Sequence, residues 1–185
     1  MTDAPTRNTV NGIDLDALEE SVAAIREDPA NGLVEFRVKP RWTGQTRSES
    51  LVDSCRIGGE EIARRFKIVA DEPTELLGTN SGPNPQELLM SALNACMTVG
   101  YVSQAAIRGI TLQDCRIETE GALDLRGFLG LDEDVPPGYR RIDYIVHLEG
   151  DGTPEQYEEI HQAVMATSPN YFNFARAIEM RGRLG

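Results

Sequence analysis

Cysteine, histidine and positive charge are all scarce in this 185-residue chain, and long hydrophobic runs are missing. Each shortage closes off a class of function. Lys and Arg number 18 against 30 Asp and Glu, a formal net charge of −12. Non-specific binding to nucleic acid runs on clustered cations, so nucleic acid is not an expected partner. The same deficit argues against docking on an anionic membrane surface. The two histidines, His147 and His161, stand apart from any cysteine pair, so a structural zinc site is not expected, and no metal or cofactor is implied. Cys55, Cys96 and Cys115 are odd in number and form no CxxC pair, which is a poor disulfide framework. With no apolar signal core at Met1–Arg7 and no run of membrane-spanning length, a reducing cytoplasm is the expected compartment.

The length suits one domain with a real core, and 40% of the residues are hydrophobic. Residues 1–12 read as disordered. Asp14 can cap a helix to about Glu27 with a narrow apolar stripe of Leu18, Val22 and Ile25, and Pro29 ends it. Such a stripe fits a helix laid on a surface, including that of a second subunit. Val34, Phe36, Val38 and Trp42 then share one face of a period-2 strand. Leu51, Cys55 and Ile57 mark a second strand. After the Gly58-Gly59 turn, Phe66, Ile68 and Ala70 mark a third, giving an antiparallel meander. The domain boundary falls near residue 33, with 1–32 as an extension and 33–185 as the main domain.

Asp71 to Pro83 is a polar loop that leads into the most informative stretch, Gly82-Pro-Asn-Pro-Gln-Glu-Leu-Leu running on to Ala95-Cys96-Met97. Asn84 suits the N-cap, Pro85 the first helical position, and Glu87 can complete a capping box. The helix should run to about Arg108, with Gly109 just past its end, and its apolar composition predicts an internal helix with a buried Cys96. That thiol is either an inert core residue or a shielded nucleophile. Two alternating segments follow, Cys115 to Leu125 and Ile142 to Leu148. The connection between them carries Phe128-Leu129-Gly130-Leu131, which serves either a contact or its own sheet. Thr153-Pro-Glu-Gln opens a second helix with Tyr157, Ile160, Val164 and Met165 inward, and Ser168-Pro169 stops it. Ile178, Met180 and Leu184 alternate with charges as a last, exposed strand. The order of elements defines an α+β fold, antiparallel sheet with a long central helix and a second helix.

The central block Gly82 to Met97 resembles the central-helix motif of the OsmC/Ohr family, which includes thiol-dependent hydroperoxide reductases. Arg41-Trp-Thr-Gly44 and the loop Leu125 to Asp132 support the resemblance, which covers roughly residues 33–184. It implies an OsmC-like fold in an intertwined homodimer, and reduction of an organic hydroperoxide in a stress response. The peroxidatic cysteine falls on Cys96. The family's second cysteine sits in a Cys-Pro step, and here that step is Ser168-Pro169. Where Ohr-type members carry a glutamate, this chain has Gln86; the adjacent Glu87 matches an acidic position of other branches. The family arginine corresponds to Arg47 or to Arg41.

These substitutions leave two functions open. One is a one-cysteine peroxidase, in which Cys96 is oxidised by a hydroperoxide and reset by an external thiol. Arg47 then stabilises the thiolate, because burial alone would raise a thiol pKa and the helix dipole fades within the first turn. The other is a non-catalytic dimer that holds a small apolar ligand in an interfacial pocket, which Gln86 and Ser168 would help to line. Glu87 is a capping carboxylate that can also orient an arginine. Cys55 and Cys115 read as core residues, and His161 as a surface or interface residue rather than a base.

Overall fold

The computed structural model describes residues 8–185. The chain divides into two compact units, Met1–Ser91 and Ala92–Gly185. Most of the segment expected to be disordered, residues 1–7, lies outside the described residues. Residues 8–12 are folded, against that expectation. β1 (Thr9–Val10) and β2 (Ile13–Asp14) pair across Asn11-Gly12, whose φ values are 51° and 78°. Asn-Gly favours this two-residue turn because both positions need positive φ. The turn chemistry therefore outweighs the polar composition.

α1 (Leu15–Glu27) starts as expected, with Asp14 Oδ1 accepting from Ala17 N at 3.1 Å. None of its residues is buried. Pro29 opens a 3-10 turn, Pro29–Gly32. The strand expected from Val34 to Trp42 is two strands, β3 (Val34–Phe36) and β4 (Lys39–Gly44), both antiparallel to β5 (Arg47–Ile57). Phe36 pairs with Cys55 and Lys39 with Leu51, so one extra β5 residue interrupts the ladder as a bulge. β6 (Glu60–Ala70) pairs along the length of β5 across the Gly58-Gly59 turn, where both glycines have positive φ (56° and 85°). The expected meander is thus present.

Among the described residues of this first unit, only Cys55 and Asp71 are buried. Phe36 is 79% and Trp42 72% exposed. The alternation places apolar side chains on the sheet, and among the described residues of this unit little covers them.

The second unit has a core. α2 (Pro85–Ile107) begins in the first unit, and its residues Leu93, Met97, Tyr101 and Ala105 recur at steps of four, forming one buried stripe with Ile110, Ile160 and Val164. The expectation of an internal helix holds for that face only, since Val99 and Ile107 are exposed. Gly109 (φ 70°) closes the helix, and Ile110 N donates to Ala105 O at 2.9 Å in a Schellman arrangement.

β7 (Leu112–Gly121) and β8 (Ile142–Gly150) form an antiparallel pair that lays Cys115, Ile117, Tyr144, Val146 and Leu148 on the core. β7 stops short of Leu125, because Asp124 caps a short helix, α3 (Leu125–Phe128). Phe128, Leu129 and Leu131 are exposed, so this loop does not fold down on its own sheet. α4 (Pro154–Thr167) carries the expected Thr153/Gln156 capping box.

Two features differ at the C-terminal end. Pro169 does not end helical structure but opens α5 (Pro169–Ala175). The strand expected at Ile178 to Leu184 is not formed. The alternation is there, but a strand needs an edge to pair with, and among the described residues this segment takes none. The whole is an α+β fold with antiparallel sheets. Among the described residues, no helix is long and apolar enough to cross a membrane.

Candidate functional site

Cys96 lies on α2 beside the buried stripe, and it is half-buried rather than buried. Its Sγ is 3.4 Å from Ser168 Oγ. Three local features fix that serine. It is the C-cap of α4, its N–H donating to Val164 O at 2.8 Å. It is also the N-cap of α5, its Oγ accepting from Tyr171 N at 3.3 Å. Pro169, which has no N–H to give, keeps Ser168 extended and forces the change of direction (φ −71°, ψ 120°). Ser168 is 6% exposed. Because Oγ already accepts from Tyr171, its hydroxyl proton is available to sulfur. Asn170 Nδ2 donates to Ala92 O at 2.7 Å and ties the first turn of α5 to the turn of α2 before Cys96. So the nucleophile candidate and the Ser-Pro step, 72 residues apart, are brought together.

Arg47 belongs to the first unit, at the start of β5. Its Nε donates to Ser81 Oγ (3.1 Å), Nη1 to Thr43 Oγ1 (2.9 Å) and Nη2 to Glu49 Oε1 (2.6 Å). Lys67 also pairs with Glu49, at 2.7 Å, and these two cations hold the Glu49 carboxyl below its ordinary pKa, Lys67 foremost. Arg41 is exposed on β4, whereas Arg47 is held by these three bonds. Its carboxylate partner is Glu49 and not Glu87. Glu87 Oε2 accepts from Asn84 N, and Glu87 N donates to Asn84 Oδ1, both at 2.8 Å, a complete capping box. Gln86 is half-buried next to it.

The sequence reading missed Asp71. Its carboxylate is fully buried and accepts from Thr46 Oγ1 (2.7 Å), Glu72 N (2.9 Å), and both the backbone N and the hydroxyl of Thr79 and of Ser81. These donors, the Thr79 hydroxyl first, depress its pKa far below the carboxylate range against the opposing effect of burial. An Asp followed by Thr, Ser, Asn and Gly is the available signal, since such residues fold loops around a carboxylate.

A second polar feature lies in the second unit. Tyr101 Oη is 2.6 Å from His161 Nδ1, and their rings are parallel with centroids 6.0 Å apart. Tyr101 is fully buried, and burial raises its pKa, so the phenol stays protonated against Nδ1. The pair borders a cavity of about 570 Å³ lined also by Tyr144, Val146, Leu148 and Tyr157. His161, expected as a surface or interface residue, is half-buried at the rim of this cavity. Cys55 is buried as expected. Cys115 is half-buried, and burial raises its thiol pKa.

The α+β fold thus sets a thiol midway along its central helix against the turn after the last long helix. The chain belongs to the OsmC-like protein family, whose model matches residues 78–181. Solved structures agree on the fold. The OsmC-like protein of Mycoplasma pneumoniae is 19% identical over 73% of this chain and 89% of its own, with a TM-score of 0.53. An OsmC-like protein of unknown function from Vibrio cholerae O1 biovar eltor is 15% identical over 74% of this chain and 91% of its own, with a TM-score of 0.55. The matched structures also include an organic hydroperoxide resistance protein from Legionella pneumophila, 17% identical over 74% and 87% of the two chains, with a TM-score of 0.48. No curated protein matches the chain.

Proposed function

We propose that this chain is a thiol-dependent organic hydroperoxide reductase that works with one cysteine. The observation that carries this reading is the 3.4 Å contact between Cys96 Sγ and Ser168 Oγ. The motif cysteine faces the residue that stands where the family has its second thiol. The Cys96 thiolate attacks the terminal oxygen of the hydroperoxide and the O–O bond breaks. The alkoxide leaves and takes up a proton as the alcohol, and the thiolate becomes a sulfenic acid. Ser168 cannot form a disulfide, so an external thiol condenses with the sulfenic acid, releasing water. A second external thiol then displaces Cys96 and leaves as the oxidised disulfide.

Ser168 O–H donates to the thiolate and then to the sulfenate oxygen. Arg47 supplies the cation that ionises Cys96 and stabilises the departing alkoxide, with Glu87 holding the start of α2 and Gln86 replacing the Ohr-type carboxylate. A reducing cytoplasm provides the thiol. The test is steady-state turnover of cumene hydroperoxide with a dithiol donor. Wild type should turn over and Cys96→Ser should not; equal rates for the two, or no wild-type turnover with any donor, would sink the reading.

The working form is a homodimer. Residues 33–185 form its family domain and 1–32 an appended extension. Support comes from the uncovered apolar residues of the β3–β6 sheet and from the unpaired alternating segment at Ile178 to Leu184. A second reading, a non-catalytic ligand carrier, is favoured by the cavity beside Tyr101 and His161, whose volume suits a small molecule. Native mass spectrometry separates the two: a carrier shows a bound small molecule, and its retention in Cys96→Ser would support that alternative.

A further inference from the structure

We infer that Asp71 is the positioning residue for Arg47. The inference rests on the proposed thiol chemistry for what Arg47 does, but not for how Arg47 is held. Two routes run from the Asp71 carboxylate to that arginine. Oδ2 accepts from Ser81 Oγ at 2.9 Å, and the serine oxygen in turn accepts from Arg47 Nε at 3.1 Å. Since guanidinium has no acceptor, the serine hydroxyl must donate to Asp71, so the polarity of the chain is fixed. Oδ1 accepts from Thr46 Oγ1 at 2.7 Å, which anchors the residue immediately before Arg47.

The carboxylate also organises the loop that leads into α2. It holds Glu72, Thr79 and Ser81 by their backbone N–H groups, while Asp71 N donates to Pro83 O at 3.2 Å. That loop is costly to hold. Leu77 and Asn80 have positive φ (66° and 53°), and so does Gln45 in the turn before Arg47 (45°). Non-glycine residues persist in this region only where surroundings over-determine them. At Gly78 a Cβ would lie 1.8 Å from Glu72 O, so the chain is also packed against itself there. One buried carboxylate is bound to both ends of this arrangement, the turn that carries the cation and the loop that starts the helix of the nucleophile.

A merely structural aspartate would support stability alone; a positioning residue must also set Arg47. The test uses full-length Asp71→Asn and Ser81→Ala, the second keeping the Asp71 carboxylate in case the first fails to fold. Two quantities are read in each, beside the circular-dichroism melt. One is the solvent-exchange protection of the Arg47 Nε–H signal by ¹⁵N NMR, assigned with Arg47→Lys. The other is the pH profile of Cys96 alkylation by iodoacetamide. Both variants should stay folded and lose the Nε–H protection. Their alkylation profile should move to higher pH, about tenfold slower near neutrality for a shift of one unit, and Asp71→Asn should add nothing in an Arg47→Ala background. Unchanged Nε–H protection in the folded variants would overturn the inference, as would a profile shift that persists without Arg47. Loss of protection with an alkylation profile indifferent even to Arg47→Ala supports Asp71 as the positioning residue and sinks instead the role given to Arg47 in the reaction.

Discussion

At the scale of single residues, the Ser168 side chain has two contacts, and substitutions separate them. Its Oγ caps α5 and touches the Cys96 sulfur. Ser168→Ala removes both and should cost about 1 kcal/mol of stability, the usual value of an N-cap, measured by urea denaturation. Ser168→Cys tests the geometry directly. It places a thiol where the hydroxyl now lies against sulfur, so oxidation should close a disulfide between Cys96 and the introduced thiol, seen as the loss of two hydrogens in the intact mass. Persistence of all four free thiols after oxidation would contradict the placement. Asp71 should contribute to the acid limb of stability. Its folded pKa is depressed, so its contribution is fully present above the unfolded value of about 3.9 and is lost as pH falls toward the folded one. Asp71→Asn should therefore flatten the fall of the melting temperature below about pH 4. An unchanged acid limb would assign that fall to other carboxylates.

At the scale of elements, the starts of α1, α2 and α4 were legible because each is written in neighbouring residues. Asn84-Pro85-Gln86-Glu87 and Thr153-Pro154-Glu155-Gln156 both form the reciprocal bonds that their spacing predicts. Asn84→Ala should destabilise the protein by about 1 kcal/mol, whereas a change at the exposed Glu159 should stay within about 0.5 kcal/mol by the same urea titration. What was not legible depends on partners distant in sequence. The bulge that splits β3 from β4 is set by register against β5. α5 was hidden because Pro169 reads equally as the end of one helix and the first position of the next. Asp71 was passed over because its donors come from Thr46, 25 positions earlier, and from a loop of no regular period. The same division applies to the site: Cys96 and Ser168 were visible as motif residues, but their contact and the Glu49 partner of Arg47 needed the fold.

At the scale of the whole molecule, the first unit carries a sheet with exposed apolar side chains. Leu51, Phe66 and Val38 are each more than half exposed, along with Phe36 and Trp42. Exposed apolar area of this extent marks an interaction surface. Sedimentation at micromolar concentration should give twice the 20.4 kDa chain mass, and Phe36→Asp should shift the equilibrium toward monomer. A wild-type monomer would refute the dimer. The central claim, that Cys96 is the oxidised residue, can be tested without knowing the reductant or the assembly state. The protein is treated with one equivalent of cumene hydroperoxide in the presence of dimedone, and the labelled peptide is mapped by mass spectrometry. One dimedone adduct per chain at Cys96, with an equal amount of cumyl alcohol, is the predicted result; alcohol release with no label at Cys96, or no reaction at all, would contradict it.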